Sequence, residues 1–155
     1  MSGGRAGWNL VTSANAAEAH NFGSDRHAAK SDRYRRAAEF AAVWQPVPTP
    51  LDDLIANKAK LLVACEKIGR KIPPEIRMSF RINVSDITGK DPHGPNGDRL
   101  AGHGSVDDIA ADIRKYRDDA DLDQFQLNFN GCGSLEQLEE SMTVFMEQVR
   151  PMVDG

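Results

Sequence analysis

The chain has 155 residues, of which 40% are hydrophobic and 27% are charged, values typical of one soluble globular domain. A net charge of −4 argues against a nucleic-acid-binding or membrane-surface protein, and no apolar run approaches the length of about 20 residues that spans a bilayer. Cys65 and Cys132 lack CxxC spacing, which predicts reduced thiols in the cytoplasm, with a disulfide between them as the alternative.

The first predicted element is a strand over residues 7–13, a short apolar run that ends at two hydroxyl side chains. Residues 14–30 show no clear pattern. Ser31 is then predicted to cap a helix that runs to Ala41. The proline-rich stretch 44–50 predicts a short strand end followed by a turn. Proline interrupts the hydrogen bonds of a helix, and it disfavours the helical conformation in the residue that precedes it.

The next helix has the clearest pattern in the chain. Thr49 is predicted to cap it, Pro50 suits its first turn and Gly69 marks its end. Residues 78–84 then alternate between apolar and polar side chains, which predicts a strand with one face that is wetted or lines a site. Residues 86–104 are predicted to form a loop because they are rich in glycine and proline. The predicted apolar face of the helix consists of Leu51, Leu54, Ile55, Leu61, Leu62, Cys65 and Ile68.

The last third predicts a helix, a strand and another helix. Ser105 is predicted to cap the first helix, and residues 125–129 alternate as a strand. Ser134 and Gln137 have the spacing of a capping box for the last helix, which Pro151 is predicted to end. The predicted buried face of that helix consists of Leu138, Met142, Phe145, Met146 and Val149. Strands that alternate with helices predict an α/β fold with parallel strands.

No GxSxG, GxxxxGK or HExxH pattern occurs in the sequence, so it predicts no catalytic residue and no metal site. Asn9, Thr12 and Ser13 are candidate binding residues, because the ends of parallel strands face ligands in α/β folds. The alternative is that the two hydroxyls satisfy the backbone of the next turn. Tyr34 is a further candidate for the same site, and the alternative is that its ring packs inside an amphipathic helix.

Several stretches of the sequence resemble a known family: 3–13, 21–23, 32–34 and 37–40 in the N-terminal part, and 43–47, 104–110, 125–129 and 134–138 in the rest. The N-terminal part resembles the middle of the reduced-flavin-dependent monooxygenases of the bacterial luciferase-like superfamily, nearest to those that oxidise nitrilotriacetate, dibenzothiophene sulfone and long-chain alkanes. From residue 43 to the end, the chain resembles the C-terminal third of luciferase-like flavin or F420 oxidoreductases.

The resemblance implies a (β/α)8 barrel with the flavin at the carboxyl ends of its strands. Such a barrel takes about 250 residues, so we expect a partial TIM barrel of about four parallel βα units in one domain. Residues 1–42 resemble the fourth βα unit, and residues 43–155 resemble the C-terminal units. The resemblance also implies that the isoalloxazine ring lies along Asn9, Val11, Thr12 and Ser13 and that Tyr34 faces it, whereas Ala14 stands where relatives often carry histidine.

The function implied is that of an oxidoreductase domain that uses reduced FMN, supplied by a flavin reductase, and molecular oxygen to oxygenate a small organic substrate. A partial barrel is expected to have impaired activity, or none, on its own. One alternative is a non-catalytic half-barrel that self-associates through its exposed sheet edges or completes a barrel with a partner. Another is an F420-dependent hydride-transfer enzyme.

Overall fold

A computed structural model of the chain describes residues 30–46, 48–122 and 124–155, except for the side chains of Lys30, Ser31, Arg33, Tyr34 and Arg36. The strand predicted over 7–13 lies outside the described residues. The described part is of the α/β class with parallel strands, as predicted. Its elements are α1 (Lys30–Phe40), β1 (Val43–Trp44), α2 (Leu51–Lys67), β2 (Glu75–Arg81), β3 (Asn83–Val84), α3 (Ser85–Thr88), β4 (His103–Gly104), α4 (Val106–Ala120), β5 (Gln124–Asn128), α5 (Leu135–Val144), a π-helical segment (Phe145–Val149) and α6 (Arg150–Asp154).

The described residues fall into two compact units. The first unit contains the described residues up to Trp44 together with Asn57–Glu75, and the second contains Gln45–Ala56 and Ile76–Gly155. None of the described helices is both long and apolar enough to cross a membrane. Both cysteines are free thiols.

The first unit is built on a small core between α1 and α2. Ala38, Leu61 and Cys65 are buried there, and the side chains of Ala37, Trp44 and Ala64 pack against them. The guanidinium of Arg70 donates to the carbonyl of Ala38 at 2.6 Å, which satisfies a last-turn carbonyl that has no partner within the helix. The helix predicted from Ser31 to Ala41 is confirmed, but Ser31 lies inside α1 and not before it.

Helix α2 confirms the clearest prediction from the sequence. It starts directly after Pro50, carries Asp52 and Asp53 in its first turn, and is followed by Gly69 with φ = 69°. Its buried face is narrower than predicted, because Ile55 and Ile68 are exposed.

The second unit contains the parallel β2–β5 pair, with α4 connecting the two strands along the chain. Met78 lies opposite Phe125, and Phe80 lies opposite Leu127. The ring of Phe80 meets that of Tyr116, on α4, edge to face at a centroid distance of 4.9 Å. For the stretch 78–84, predicted as a strand with one face that is wetted or lines a site, the apolar side chains of Met78, Phe80, Ile82 and Val84 are all buried. Among the polar side chains between them, Ser79 and Asn83 are buried and Arg81 is exposed.

The region predicted as a loop, residues 86–104, contains two short elements. Helix α3 turns directly after β3, and β4 pairs with β3 in parallel through Asn83 opposite His103. Gly102 must be glycine, because a Cβ there would lie 2.5 Å from the carbonyl oxygen of Arg81 and its φ is 82°. The glycines therefore allow close backbone approach in an ordered connection.

The last helix differs from the prediction in its buried face. Phe145 and Val149 are buried as predicted, but Met142 and Met146 are exposed. The helix also continues past Pro151, which lies in the first turn of α6. The N–H of Arg150 donates to the carbonyl of Phe145, an i→i+5 hydrogen bond that widens the helix locally.

Candidate functional site

The candidate site is the polar face of the β2–β5 pair. Side chains alternate between the two faces of a strand, so Met78, Phe80, Phe125 and Leu127 lie on the apolar face. The opposite face, which we call the polar face, carries Arg77, Ser79, Arg81, Gln124, Gln126 and Asn128. Such a row of amides and guanidiniums presents both hydrogen-bond donors and acceptors to any molecule that lies against the sheet.

Cross-strand hydrogen bonds hold several side chains of the polar face in position. The amide of Asn128 donates to the hydroxyl of Ser79 at 2.8 Å, and the guanidinium of Arg77 donates to Gln124 at 2.9 Å. The amide of Gln45 donates to that of Gln126. The polar groups are therefore arranged before any ligand arrives, which lowers the entropy lost on binding.

The loops at the carboxyl ends of the strands are tied to one another. Thr88 donates through its hydroxyl to the side-chain oxygen of Asn83 at 2.5 Å, and the ammonium of Lys90 donates to the carbonyl of Gly131. The amide of Gln137 accepts from the N–H of Gly133 at 2.8 Å and donates to the carbonyl of Ile87 at 3.2 Å. The connections that follow β3 and β5 thus form one hydrogen-bonded rim.

A second network fixes the connection between α3 and β4 to helix α4. Asp112 accepts two hydrogen bonds from Arg99, both at 2.7 Å, and a third from the N–H of Gly102 at 2.7 Å. Arg99 also donates to the carbonyl of His103 at 2.7 Å. Burial, together with the nearby Arg81 and Arg99, lowers the pKa of His103, so its imidazole is neutral near pH 7.

Helix N-termini are common anion sites, but those of α4 and α5 are capped by the chain itself. At α4, the hydroxyl of Ser105 accepts from the N–H of Asp108 at 3.2 Å, and the carboxylate of Asp108 accepts from the N–H of Ser105 at 3.0 Å. The hydrogen bonds that Ser105 donates lower the pKa of Asp108. At α5, Ser134 accepts from the N–H of Gln137 at 3.2 Å. Only half of the predicted capping box is present there, because the side chain of Gln137 accepts from Gly133 instead of Ser134.

An open groove of about 570 Å³ lies beside β5. Strand β5 pairs with β2 and with no other described strand. A smaller groove of about 180 Å³ follows the same strand, and Leu127 lines both of them. Among the described residues, the side chains of the larger groove are apolar or uncharged: Leu127, Asn128, Phe129, Asn130, Cys132, Ser134, Leu135, Leu138 and Met142.

Most residues predicted for the site cannot be placed relative to this face. Asn9, Val11, Thr12 and Ser13 lie outside the described residues. Tyr34 lies in the middle of α1, and its side chain is not described. The described residues contain no cluster of three or more His, Cys, Asp or Glu side chains suited to a metal ion. The polar face includes Ser79 and Arg81, from the strand predicted to have one face wetted or lining a site; the alternation Gln-Phe-Gln-Leu-Asn over 124–128 was the matching signal on β5.

Comparison with known proteins identifies relatives of one kind. Nitrilotriacetate monooxygenase component A from Aminobacter aminovorans is 65% identical over 43 residues, which is 28% of this chain and 10% of that protein. Dibenzothiophene-sulfone monooxygenase from Rhodococcus erythropolis is 58% identical over 61 residues, 38% of this chain and 14% of that protein. A pristinamycin IIA synthase chain from Streptomyces pristinaespiralis is 48% identical over 56 residues, 34% of this chain and 13% of that protein.

No protein-family profile matches the chain. The matched stretches of the three relatives cover between 10% and 14% of their own lengths. All of these relatives are monooxygenases of the luciferase-like kind. Over part of its length, this chain is therefore similar to the luciferase-like monooxygenases, as its motifs indicated.

Proposed function

We propose that this chain takes part in a monooxygenase reaction that uses reduced flavin and molecular oxygen. The observation that carries the proposal is the 65% identity over 43 residues with nitrilotriacetate monooxygenase component A. In such a reaction, the flavin supplies two electrons, one oxygen atom enters a small organic substrate and the other leaves as water. The protein contributes binding, orientation and exclusion of water.

For the site, we propose that Asn9, Val11, Thr12 and Ser13 lie along the isoalloxazine ring and that Tyr34 faces it, as the resemblance implies. Together with β2 and β5, the strand predicted over 7–13 would then form part of a barrel-like sheet. The division into a fourth βα unit over 1–42 and C-terminal units over 43–155 belongs to the same proposal. The free thiols of Cys65 and Cys132 favour a cytoplasmic setting.

The described residues suit the flavin ring better than its phosphate. The edge of the ring alternates hydrogen-bond donors and acceptors, and the amides of Gln124, Gln126 and Asn128 offer both. A phosphate needs convergent N–H donors or cations. The N-termini of α4 and α5 are already capped, so among the described residues only flexible cations such as Arg81 are left near the polar face. We therefore propose that the chain alone binds flavin weakly and turns over little or not at all.

A flavin reductase is the proposed partner, because the name of the first relative, "component A", implies that at least one further component acts with it. FMN is the proposed flavin. F420 is the alternative cofactor, and it would imply hydride transfer without oxygen. Separate titrations of the protein with FMN and with F420 distinguish these alternatives, because we expect FMN to bind more tightly than F420.

The proposal is tested by titrating the protein with FMN and with riboflavin and following flavin fluorescence. Because the described residues offer the phosphate few donors, we expect the two dissociation constants to agree within about threefold, a free-energy difference below about 0.7 kcal/mol. FMN binding at least tenfold tighter than riboflavin binding would mean that a phosphate site exists. Tight FMN binding with turnover would contradict the proposed lack of activity, and no binding of either ligand would contradict the proposal itself.

A second candidate function is a non-catalytic half-barrel that self-associates or completes a barrel with a partner. The outer edge of β5, which pairs with no further described strand, and the groove beside it favour this candidate because exposed parallel strands are normally covered. Light scattering at increasing protein concentration tests for self-association. A mass that stays at 17.0 kDa at every concentration speaks against it.

A further inference from the structure

The sequence contains two Asn-Gly pairs, Asn96-Gly97 and Asn130-Gly131. In such a pair, the backbone nitrogen of the glycine can attack the side-chain amide of the asparagine, because glycine has no Cβ that hinders the approach. Both asparagines are exposed, and no described residue forms a hydrogen bond with either side-chain amide. The main difference between the two pairs is how the fold holds the nitrogen of the glycine.

The nitrogen of Gly97 is held in a closed turn. Its N–H donates to the carbonyl of Gly94 at 3.0 Å, and the N–H of Gly94 donates in turn to the carbonyl of Asp98 at 2.8 Å. Gly97 also has a φ of 84°, a left-handed conformation that belongs to this turn. The nitrogen of Gly97 must therefore lose a hydrogen bond before it can attack the amide of Asn96.

The nitrogen of Gly131 is not held in this way. Asn130 and Gly131 are the two central residues of a turn that follows β5, and the N–H of Cys132 closes this turn by donating to the carbonyl of Phe129. That hydrogen bond is long, at 3.4 Å, and therefore weak. No described group accepts a hydrogen bond from the N–H of Gly131. The nitrogen is thus available to attack the side chain of the preceding residue.

We propose that Asn130 is a site of spontaneous deamidation in the folded chain. The nitrogen of Gly131 forms a bond to Cγ of Asn130, and the side-chain amide nitrogen leaves as ammonia with the proton that the Gly131 nitrogen gives up. Water then opens the five-membered imide ring at one of its two carbonyls. Opening at the former side-chain carbonyl gives aspartate, and opening at the backbone carbonyl gives isoaspartate, whose main chain is longer by one atom.

The modification changes the surface at the carboxyl end of β5. Asn130 lines the larger groove, whose described side chains are apolar or uncharged, so either product adds a negative charge to the wall of the groove. The ammonium of Lys90 donates to the carbonyl of Gly131, which places a cation close to the new charge. The longer main chain of isoaspartate also displaces the carbonyl that Lys90 binds. The inference concerns the rim and does not depend on the flavin proposal.

The first test incubates the full chain in mildly alkaline buffer and follows each asparagine by peptide mapping, with mass spectrometry and detection of isoaspartate. In the folded chain we expect Asn130 to deamidate at least about fivefold faster than Asn96. A factor of about five corresponds to about 1 kcal/mol, the net contribution of a typical hydrogen bond such as that of Gly97. In concentrated urea, which removes both turns, the two rates should agree within about threefold.

The second test identifies the attacking group. G131A places a methyl group beside the attacking nitrogen and should slow the loss of the Asn130 amide at least about tenfold. This variant should fold, because the added Cβ would lie 3.5 Å from the side chain of Asn83, an ordinary contact, and φ of Gly131 is not positive. The matched control is G133A, which changes another glycine of the same connection and should leave the rate at Asn130 unchanged. Circular dichroism verifies that both variants are folded.

Three results would overturn the inference. The first is a folded chain in which Asn96 deamidates as fast as Asn130. The second is an Asn130 amide that is lost rapidly in urea but persists in the folded chain, because the fold would then protect it. The third is a folded G131A variant that loses the Asn130 amide at the original rate, because the backbone nitrogen would then not be the attacking group.

Discussion

Replacement of Asp112 by alanine tests how the connection before β4 is held. Asp112 is 9% exposed and accepts hydrogen bonds from the guanidinium of Arg99 and the N–H of Gly102, three contacts at 2.7 Å. In D112A the buried N–H of Gly102 loses a charged acceptor, and Arg99 loses the carboxylate that it grips with two nitrogens. One substitution therefore removes the group that joins the connection to α4.

The expected loss follows from these contacts. A buried N–H deprived of a charged acceptor costs about 1.5–3 kcal/mol. The ion pair itself adds about 1 kcal/mol and no more, because Arg99 remains 30% exposed and still donates to the carbonyl of His103. We therefore expect D112A to lower the free energy of unfolding by about 3 kcal/mol, which for a chain of this length lowers Tm by about 6–12 °C.

Thermal and urea unfolding followed by circular dichroism measures this loss. The matched control is D119A, which removes an exposed carboxylate from the same helix and should change the stability by less than about 0.5 kcal/mol. D112N keeps one acceptor oxygen and should cost less than D112A. A loss in D112A no larger than that in D119A would refute the idea that this network holds the connection.

Three further predictions concern stability. Hydrogen bonds from Ser105 lower the pKa of Asp108 below its ordinary value of 3.8. The ionised carboxylate therefore contributes its full stabilisation of the fold above that pH, and this stabilisation is lost as the pH falls through the lower pKa of the folded state. D108N should flatten that acidic part of a stability–pH curve. Gly102→Ala should cost about 1–3 kcal/mol more than Gly97→Ala, since both positions have positive φ but only the first would meet backbone atoms; equal urea midpoints would contradict this. F80A should cost about 3–5 kcal/mol in urea unfolding, and a loss below about 1 kcal/mol would be incompatible with its burial.

The sequence predicted the elements whose signals are local. Ser105 and Asp108 lie within one turn of the helix start that they cap, so the start of α4 can be read from four adjacent residues. The same holds for α2, where Pro50 and Gly69 mark the two ends.

The predictions that failed depend on contacts between distant residues. Met142 and Met146 are exposed because the buried side of the helix runs through Ser141, Phe145 and Val149, and a buried serine has no signature in the apolar spacing. The pairing that joins the polar residues of β2 to those of β5 was not predicted, because the two strands lie about 47 residues apart along the chain by the register of Arg77 with Gln124. The candidate ring-binding residues Asn9, Val11, Thr12, Ser13 and Tyr34 remain predictions.

The central claim is that a flavin ring binds this chain along the polar face of its parallel sheet. The most direct measurement is a two-dimensional ¹⁵N–¹H NMR titration of the labelled protein with riboflavin, following the side-chain amides. We expect saturable shifts for Gln126 and Asn128, which lie on the polar face, and none for Gln137, which lies on α5 and not on that face. The claim would be contradicted if riboflavin moved only residues of α5, or if it moved none of these amides at a concentration that saturates flavin fluorescence.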